Sequence, residues 1–279
     1  MKTAVIYGAT GTGRSIYAKV ANKYNIMYFV DGNPELIGED YKGVQIYSKE
    51  HLKELRPDVV IVGVLTGFED IVQWLISEGG FKEENIICKY VDLSSRARCA
   101  CLESVAYILE KKGVKGAVAE LGVYRGDFAK EINRIFPNRE LFLFDTFEGF
   151  PEQDINYEIE NNLLTNRSGK FSNTSVEYVL SKMMYPEKCV IKKGYFPDTT
   201  EGMEEKFAFV NIDVDLYKPM LSGLEYFWER MENNGYIFVH DYFSEVYSGT
   251  QKAIEEFSEK YNLAFIPIGD THSVAFVKK

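Results

Sequence analysis

Cysteine and histidine are scarce in this sequence, with four and three among 279 residues. Cys88, Cys99, Cys101 and Cys189 form neither a disulfide framework nor the paired spacing of a zinc site. Cys99-Ala-Cys101 lacks the further ligands that metal chemistry would need, so its thiols read as ordinary helix residues. No apolar run reaches membrane-spanning length, and no apolar signal segment precedes the first strand. A membrane partner is therefore not expected, and the cytoplasm is the expected compartment. Blocks of lysine and arginine are also missing. The 32 basic residues against 42 acidic ones give a net charge of −10, which argues against nucleic acid as the main partner. There are no internal repeats and no low-complexity tract. The apolar share of 46%, with 14% aromatics, is ample for one large or two ordinary domains.

The residues present are organised around 207–242. Phe207–Ile212 is apolar except for Asn211, as suits a parallel strand covered on both faces. It stops at Asp213-Val-Asp215. Pro219 suits the first turn of a helix, and Met220, Leu224, Phe227, Trp228 and Met231 recur at helical spacing. Asn233-Asn234-Gly235 reads as the helix stop, and Tyr236–Val239 as a second strand ending at His240-Asp241. Ligands bind beyond the carboxyl ends of strands in open parallel sheets. Asp213, Asp215, His240 and Asp241 are thus expected to share one crevice, with donors for a divalent cation.

Before this stretch the pattern is alternating β/α, so the fold class is α/β with two doubly wound, Rossmann-like domains. The first spans residues 1–92. Its strand Lys2–Tyr7 leads into Gly8-Ala-Thr-Gly11-Thr-Gly13 and a helix from Arg14 to Tyr24, and Ile26–Val30 ends at Asp31. GATGTG, FVDGNP and PDVVIVGV resemble the amino-terminal half of nucleotide-sugar and short-chain-type Rossmann proteins. That resemblance implies a nucleotide or nucleotide-sugar site at Gly8, Gly11, Gly13 and Asp31. The alternative, a domain that only packs or dimerises, stays open because the second mononucleotide-binding half is missing. An NAD-dependent oxidoreductase centred on GATGTG is a further alternative. Tyr107 and Lys111 have the Tyr-x-x-x-Lys spacing it requires, but they fall in a linking helix, away from any substrate-domain context.

The second domain spans residues 93–279, with 93–115 as the linking helix carrying Leu102, Val105, Ala106 and Leu109 on one face. Ala117–Leu121 is its first strand, followed by Gly122-Val-Tyr124-Arg-Gly126. Leu141–Phe144 ends at Asp145, and Cys189–Lys192 runs into Gly194-Tyr195-Phe196. The polar segment Pro151–Ser175, with Asn161, Asn162, Asn166, Arg167, Ser168 and Gly169, exceeds the usual connection length and reads as a lid. A helix (Gly249–Lys260), a strand (Ala264–Ile268) and a closing strand (Ser273–Val277) follow the central stretch.

Four segments, AELGVYRGDFAKEI, LFLFDTFEGFP, KKGYFPDTT and FVNIDVDLYKP with NNGYIFVHDY, resemble the macrocin O-methyltransferase family in order and spacing. The resemblance covers Gly116 to Lys279. It implies a class I methyltransferase sheet with an antiparallel last strand, and S-adenosylmethionine- and magnesium-dependent methylation of a sugar or glycoside hydroxyl. By the same resemblance, Glu120, Gly122, Tyr124 and Gly126 would hold the methionine portion, Asp145 the ribose, and Gly194, Tyr195 and Phe196 the adenine. Asp213, His240 and Asp241 would hold the metal, with Asp213 as the base and His240 beside it in catalysis. The family shows Asp-Asp-Tyr where this chain has His240-Asp241-Tyr242; imidazole is a poor partner for magnesium and a better one for manganese, iron or zinc. The alternatives for His240 are a proton-accepting group beside the metal or a hydrogen-bonded structural histidine. Another reading is a nucleotide-sugar-binding module with a degenerate second domain; Glu120, Asp145, Asp213 and Asp241 all being present argues against it. The acceptor is not legible, and a homo-oligomer is compatible with the sequence.

Overall fold

The computed structural model describes every residue except 66, 165–170 and 245. The chain divides into two compact units, Met1–Ser95 and Arg96–Lys279. The first runs β1 (Thr3–Tyr7), α1 (Gly11–Val20), β2 (Asn25–Val30), β3 (Asp40–Tyr41), β4 (Val44–Tyr47), α2 (His51–Glu54), β5 (Val59–Val62), α3 (Phe68–Ser77) and β6 (Ile86–Ile87). Its sheet has the order β3-β4-β2-β1-β5-β6. All pairings are parallel except the β3–β4 hairpin. Every residue of β5 is buried, which is why that strand is an unbroken apolar run. The first helix begins at Gly11, earlier than its apolar spacing suggests, because the glycine loop itself turns into helix.

The unit boundary falls within α4 (Lys89–Lys111), one continuous helix rather than the strand end and helix that its sequence suggests. The second unit continues with β7 (Ala117–Leu121), α5 (Ala129–Ile135), β8 (Leu141–Asp145), α6 (Glu152–Glu160), α7 (Val176–Ser181), β9 (Cys189–Lys193), β10 (Phe207–Ile212), α8 (Tyr217–Arg230), β11 (Met231–Val239), α9 (Ser248–Tyr261), β12 (Ile266–Pro267) and β13 (Val274–Val277). The sheet order is β12-β13-β11-β10-β7-β8-β9. Within this unit that is 3-2-1-4-5-7-6 read from the β9 edge, with β13 antiparallel to β11. The order reverses between β7 and β10, so the crevice for a ligand opens at the carboxyl ends of these two strands. Both are buried along their whole length.

Two boundaries differ from the sequence reading. The central helix stops at Arg230 rather than at Asn233, and Met231 is already a strand residue, aligned with Phe207 of β10. The expected stop, Asn233-Asn234-Gly235, lies inside β11, where a left-handed Asn234 (φ 66°) bends the strand. The lid segment also contains a helix, α6. Asn166, Arg167, Ser168 and Gly169 lie outside the described residues. Among the described residues no helix is long and apolar enough to cross a membrane.

Candidate active site

The strands at the switch point decide what faces the crevice. Side chains two apart on a strand share a face, so Asn211 and Asp213 project together from the end of β10. Asn211 pairs in register with Glu120 on β7 and donates from Nδ2 to its Oε1 at 2.8 Å. The Asp213 N–H donates to the Leu121 carbonyl at 2.8 Å, and the His240 N–H to the Ile212 carbonyl at 2.9 Å. These bonds extend the ladder one residue past each strand and set the ends of β7, β10 and β11 side by side. Gly122 permits it: at φ +86°, a Cβ there would stand 2.0 Å from the Asp213 carbonyl oxygen.

Three carboxylates meet at these ends. Asp213, Asp215 and Asp241 each offer an oxygen within 4.8 Å of the others. Asp215 and Asp241 hold left-handed backbone, φ 60° and 61°, a strain that clusters at ligand and catalytic sites. His240 lies between: its Nδ1 is 3.2 Å from Asp213 Oδ1 and 3.1 Å from Asp241 Oδ2. The ring is thus held between two carboxylates as an ion pair with each, although its nitrogen meets full hydrogen-bond geometry with neither. His272, from the turn before β13, stacks on His240 at 5.4 Å and forms a second donor group with His240 and Asp241.

Arg98 of α4 closes the network from the other side. Its Nη1 and Nη2 each reach Asp213 Oδ2 at 3.3 Å, and Nη2 donates to Asn211 Oδ1 at 2.6 Å. Burial opposes ionisation throughout the site, and the neighbours decide the outcome. Burial alone would raise Asp213, but the positive charges of His240 and Arg98 hold it below the usual carboxylate range. Burial would lower His240, yet Asp213 and Asp241 push it well above 6.5. Asp241 is held low against burial by His240, whereas burial and the Asp241 charge drive Asp215 well up. Burial also raises Glu120 well above its ordinary range.

The residue set fits a divalent cation. It combines converging carboxylate oxygens, an imidazole nitrogen between two of those carboxylates, and strained backbone at two of the acids. The oxygens suit magnesium or manganese, and an imidazole ligand moves the preference away from magnesium.

The positions expected to hold the methyl donor lie on β7, β8 and β9 or in the loops after them. Asp145 ends β8, and its carboxylate is already engaged. Oδ2 accepts from the N–H groups of Val123 (2.7 Å) and Tyr124 (2.8 Å), and Oδ1 from that of Phe147 (2.7 Å). It thereby shapes the loop after β7, in which Tyr124 is left-handed (φ 46°) and its hydroxyl donates to Asn173 at 2.6 Å. A Cβ on Gly126 would press on Val179 and Met183 of the α7 region, so that glycine serves internal packing. Gly194 ends β9, and the Tyr195 hydroxyl donates to Asp154 Oδ1 at 3.1 Å. Phe196 is a core residue, enclosed by Phe144, Tyr226 and Phe227. Glu158 of α6 accepts from the Tyr217 N–H at the start of α8 at 2.6 Å, and its other oxygen lies buried against Gly249 of α9.

In the first unit, Gly8 and Gly13 are required by packing. A Cβ on Gly13 would lie 1.8 Å from the Gly8 carbonyl oxygen, and one on Gly8 2.7 Å from that of Gly63. Gly11 opens α1. Asp31 accepts from the N–H groups of Ala9 and Asn33, both at 2.8 Å.

Sequence reasoning missed Arg98 and His272. Arg98 could have been found: it falls on the same helical face as Leu102, Val105 and Leu109, where a charged residue needs a buried partner. His272 sits in a turn with no periodic signal.

A sheet in the order 3-2-1-4-5-7-6, with a glycine loop after its first strand and acids at the ends of its first, second and fourth, defines a class I methyltransferase. Residues 91–277 match the family described as Macrocin-O-methyltransferase (TylF), and the chain belongs to that family. It is thereby an S-adenosylmethionine-dependent O-methyltransferase. Residues 1–87 match a second family, described as C2185-like, N-terminal. Two solved structures share the fold. The O-methyltransferase NovP is 20% identical, over 66% of this chain and 80% of its own, with a TM-score of 0.55. CalS11, described as the calicheamicin methyltransferase, is 16% identical, over 76% of this chain and 91% of its own, with a TM-score of 0.56. No curated protein matches the sequence.

Proposed function

We propose that the chain methylates a hydroxyl of a sugar or glycosylated small molecule, with a divalent cation, manganese or magnesium, held by Asp213, His240 and Asp241. The observation that carries this reading is the convergence of Asp213, Asp215 and Asp241 at the switch point, with the His240 ring between Asp213 and Asp241. A structure described as the TDP-rhamnose 3'-O-methyltransferase of calicheamicin biosynthesis shares the fold, which supports a sugar acceptor. S-adenosylmethionine supplies an activated methyl group, and the cation supplies the Lewis acidity that makes a hydroxyl easier to deprotonate. The chain's task is then positioning and proton removal. Glu120, Gly122, Tyr124, Gly126, Asp145, Gly194 and Tyr195 line the donor side of the crevice in this reading, with Phe196 supporting them from the core. Asp213 accepts the hydroxyl proton; its lowered pKa makes it a weak base, so this role depends on the hydroxyl being acidified by the cation. The segment around α6 excludes water.

In the first unit the same reading gives Gly8, Gly11, Gly13 and Asp31 to a nucleotide or nucleotide sugar, supported by the glycine loop that opens α1. Four free cysteines support work in the reducing cytoplasm. The test is incubation of the full chain with methyl-labelled S-adenosylmethionine and a panel of nucleotide-linked sugars and glycosides, with magnesium, manganese or chelator. Chelator-sensitive transfer of label to a sugar hydroxyl is expected. Transfer that chelator leaves untouched refutes the cation. Label reaching only non-sugar acceptors refutes the substrate class.

A further inference from the structure

The residue left over by that reading is Arg98. It lies outside all four sequence segments that define the family resemblance, yet its side chain is only 10% exposed. Its guanidinium meets two strand-end residues at once, Asp213 through Oδ2 and Asn211 through Oδ1. Its central carbon lies 4.0 Å from the centre of the Phe128 ring, which holds the plane of the fork from below. Glu120, Asn211 and Asp213 form one row across β7 and β10, and Arg98 covers that row.

The geometry points to Arg98 as the positioning residue of this methyltransferase: it fixes the Asp213 carboxylate for the cation and ties it through Asn211 to Glu120 on the donor side. This rests on the reading of Asp213 as a cation ligand. A counter-charge alone would need no fork. A lysine ammonium is a point charge, whereas a planar guanidinium can serve acceptors on two residues while stacking on a ring. Nor does fold stability call for it, since a buried ion pair contributes little compared with apolar packing. The Arg98 charge is faced by Asp213, Glu120, Asp270 and His240, so it sits within a charged cluster that a plain core residue would avoid.

Counter-charge and positioning predict opposite results. If Arg98 only offsets negative charge, Arg98→Met removes a repelling cation and Mn²⁺ binds more tightly, while Arg98→Lys changes little. If Arg98 positions Asp213, both variants bind Mn²⁺ more weakly, by about 10–100-fold, the usual cost of losing a group that orients a metal ligand. The experiment is Mn²⁺ titration of the full chain by electron paramagnetic resonance, with thermal melting to verify folding. S-adenosylhomocysteine affinity by calorimetry is measured alongside and is expected to fall by a few fold in both variants. Tighter Mn²⁺ binding in Arg98→Met, or unchanged binding in Arg98→Lys, overturns the assignment. Should Arg98→Met not fold, Phe128→Leu takes its place, removing the ring but no hydrogen bond. Weaker Mn²⁺ binding in it upholds positioning, and unchanged binding overturns it. Wild-type protein that binds no Mn²⁺ refutes the cation reading instead. Arg98 is then judged on S-adenosylhomocysteine, where unchanged affinity in Arg98→Lys overturns the tie to the donor side.

Discussion

Asp213→Asn tests the site most directly, because one charge is removed while the shape stays. In the wild type, Asp213 stands between two cations. Oδ2 takes both Arg98 terminal nitrogens at 3.3 Å, and Oδ1 lies 3.2 Å from His240 Nδ1. The amide keeps one acceptor oxygen for Arg98 but loses the charge and the basicity. Loss of a general base lowers transfer about 10²–10⁴-fold, and loss of a cation ligand adds to this. The structure also implies a stability loss that the sequence did not suggest. Hydrogen bonds to charged groups contribute about 1.5–3 kcal/mol and neutral ones about half that, so the net loss is roughly 1–2 kcal/mol. Some of that is screened, because the Asp213 side chain is a quarter exposed. The pH dependence has a defined sign. Asp213 has a depressed pKa, so its contribution is complete above the ordinary value of 3.8 and is lost as pH falls from there through its folded value. His240 has a raised pKa, so its share is complete below 6.5 and lost as pH rises through its folded value. The stability gap between wild type and variant should therefore be closed in strong acid, be open from pH 3.8, hold near neutrality, and narrow as pH rises through the raised folded value of His240. Denaturant melts across pH measure the gap, and single-turnover transfer to the acceptor found by labelling measures the chemistry. Near wild-type turnover at saturating donor and metal would refute the base assignment, and a gap independent of pH would refute the Asp213–His240 pairing.

His240→Asn should lower transfer and be partly rescued by raised Mn²⁺; a loss of stability with unchanged metal dependence excludes His240 as a ligand. Gly122→Ala places a Cβ 2.0 Å from the Asp213 carbonyl oxygen in left-handed backbone. It should lower the unfolding midpoint strongly, beyond the ~1–3 kcal/mol of backbone strain alone, and a wild-type midpoint would contradict the strand-end packing. Glu158 has a raised pKa, so wild-type stability should fall as pH rises above 4.5 through its folded value, by at most ~1.4 kcal/mol per pH unit. Glu158→Gln keeps an acceptor for the Tyr217 N–H and should flatten that slope; an unchanged slope would mean that Glu158 is ionised in the folded chain.

The strands were legible because burial on both faces leaves a simple mark: Phe207–Ile212 and Val59–Val62 are apolar runs bounded by polar or glycine residues. Elements whose buried residues are polar left no such mark. Helix α6 buries Asp154 and Glu158, so its stretch reads as a polar loop although it is helical. Met231 misled in the opposite way. It continues the apolar spacing of α8 but is the first residue of β11, because register against Phe207 overrides helical periodicity. Of the candidate site, the acids at strand ends were visible from their positions after apolar runs. What organises them was not. Arg98 lies more than a hundred residues from Asp213, at a separation of 115, and nothing local to either residue indicates the other.

The two units also show why a glycine loop and a strand-end acid are weak functional signals. In the first, Asp31 binds the N–H of Ala9 in the loop after β1 and that of Asn33 two residues on. In the second, Asp145 binds Val123 and Tyr124 in the loop after β7 and Phe147 two residues on. Gly8 donates to Val30 and Gly122 to Phe144, the same bond in each sheet. This arrangement satisfies the backbone of a tight strand-to-helix turn with or without a ligand beyond it. The difference lies one strand further across. The strand paired with β1 on the other side of the first switch point, β5, runs out into Gly63-Val64, which carry no charge. Its counterpart β10 runs out into Asp213-Val214-Asp215, and β11 beside it into His240-Asp241. The shared device builds the crevice, and the charged groups on the fourth and fifth strands of the second unit give it chemistry. In chains of this kind, the residues at the end of the fourth strand therefore say more about function than the glycine loop after the first.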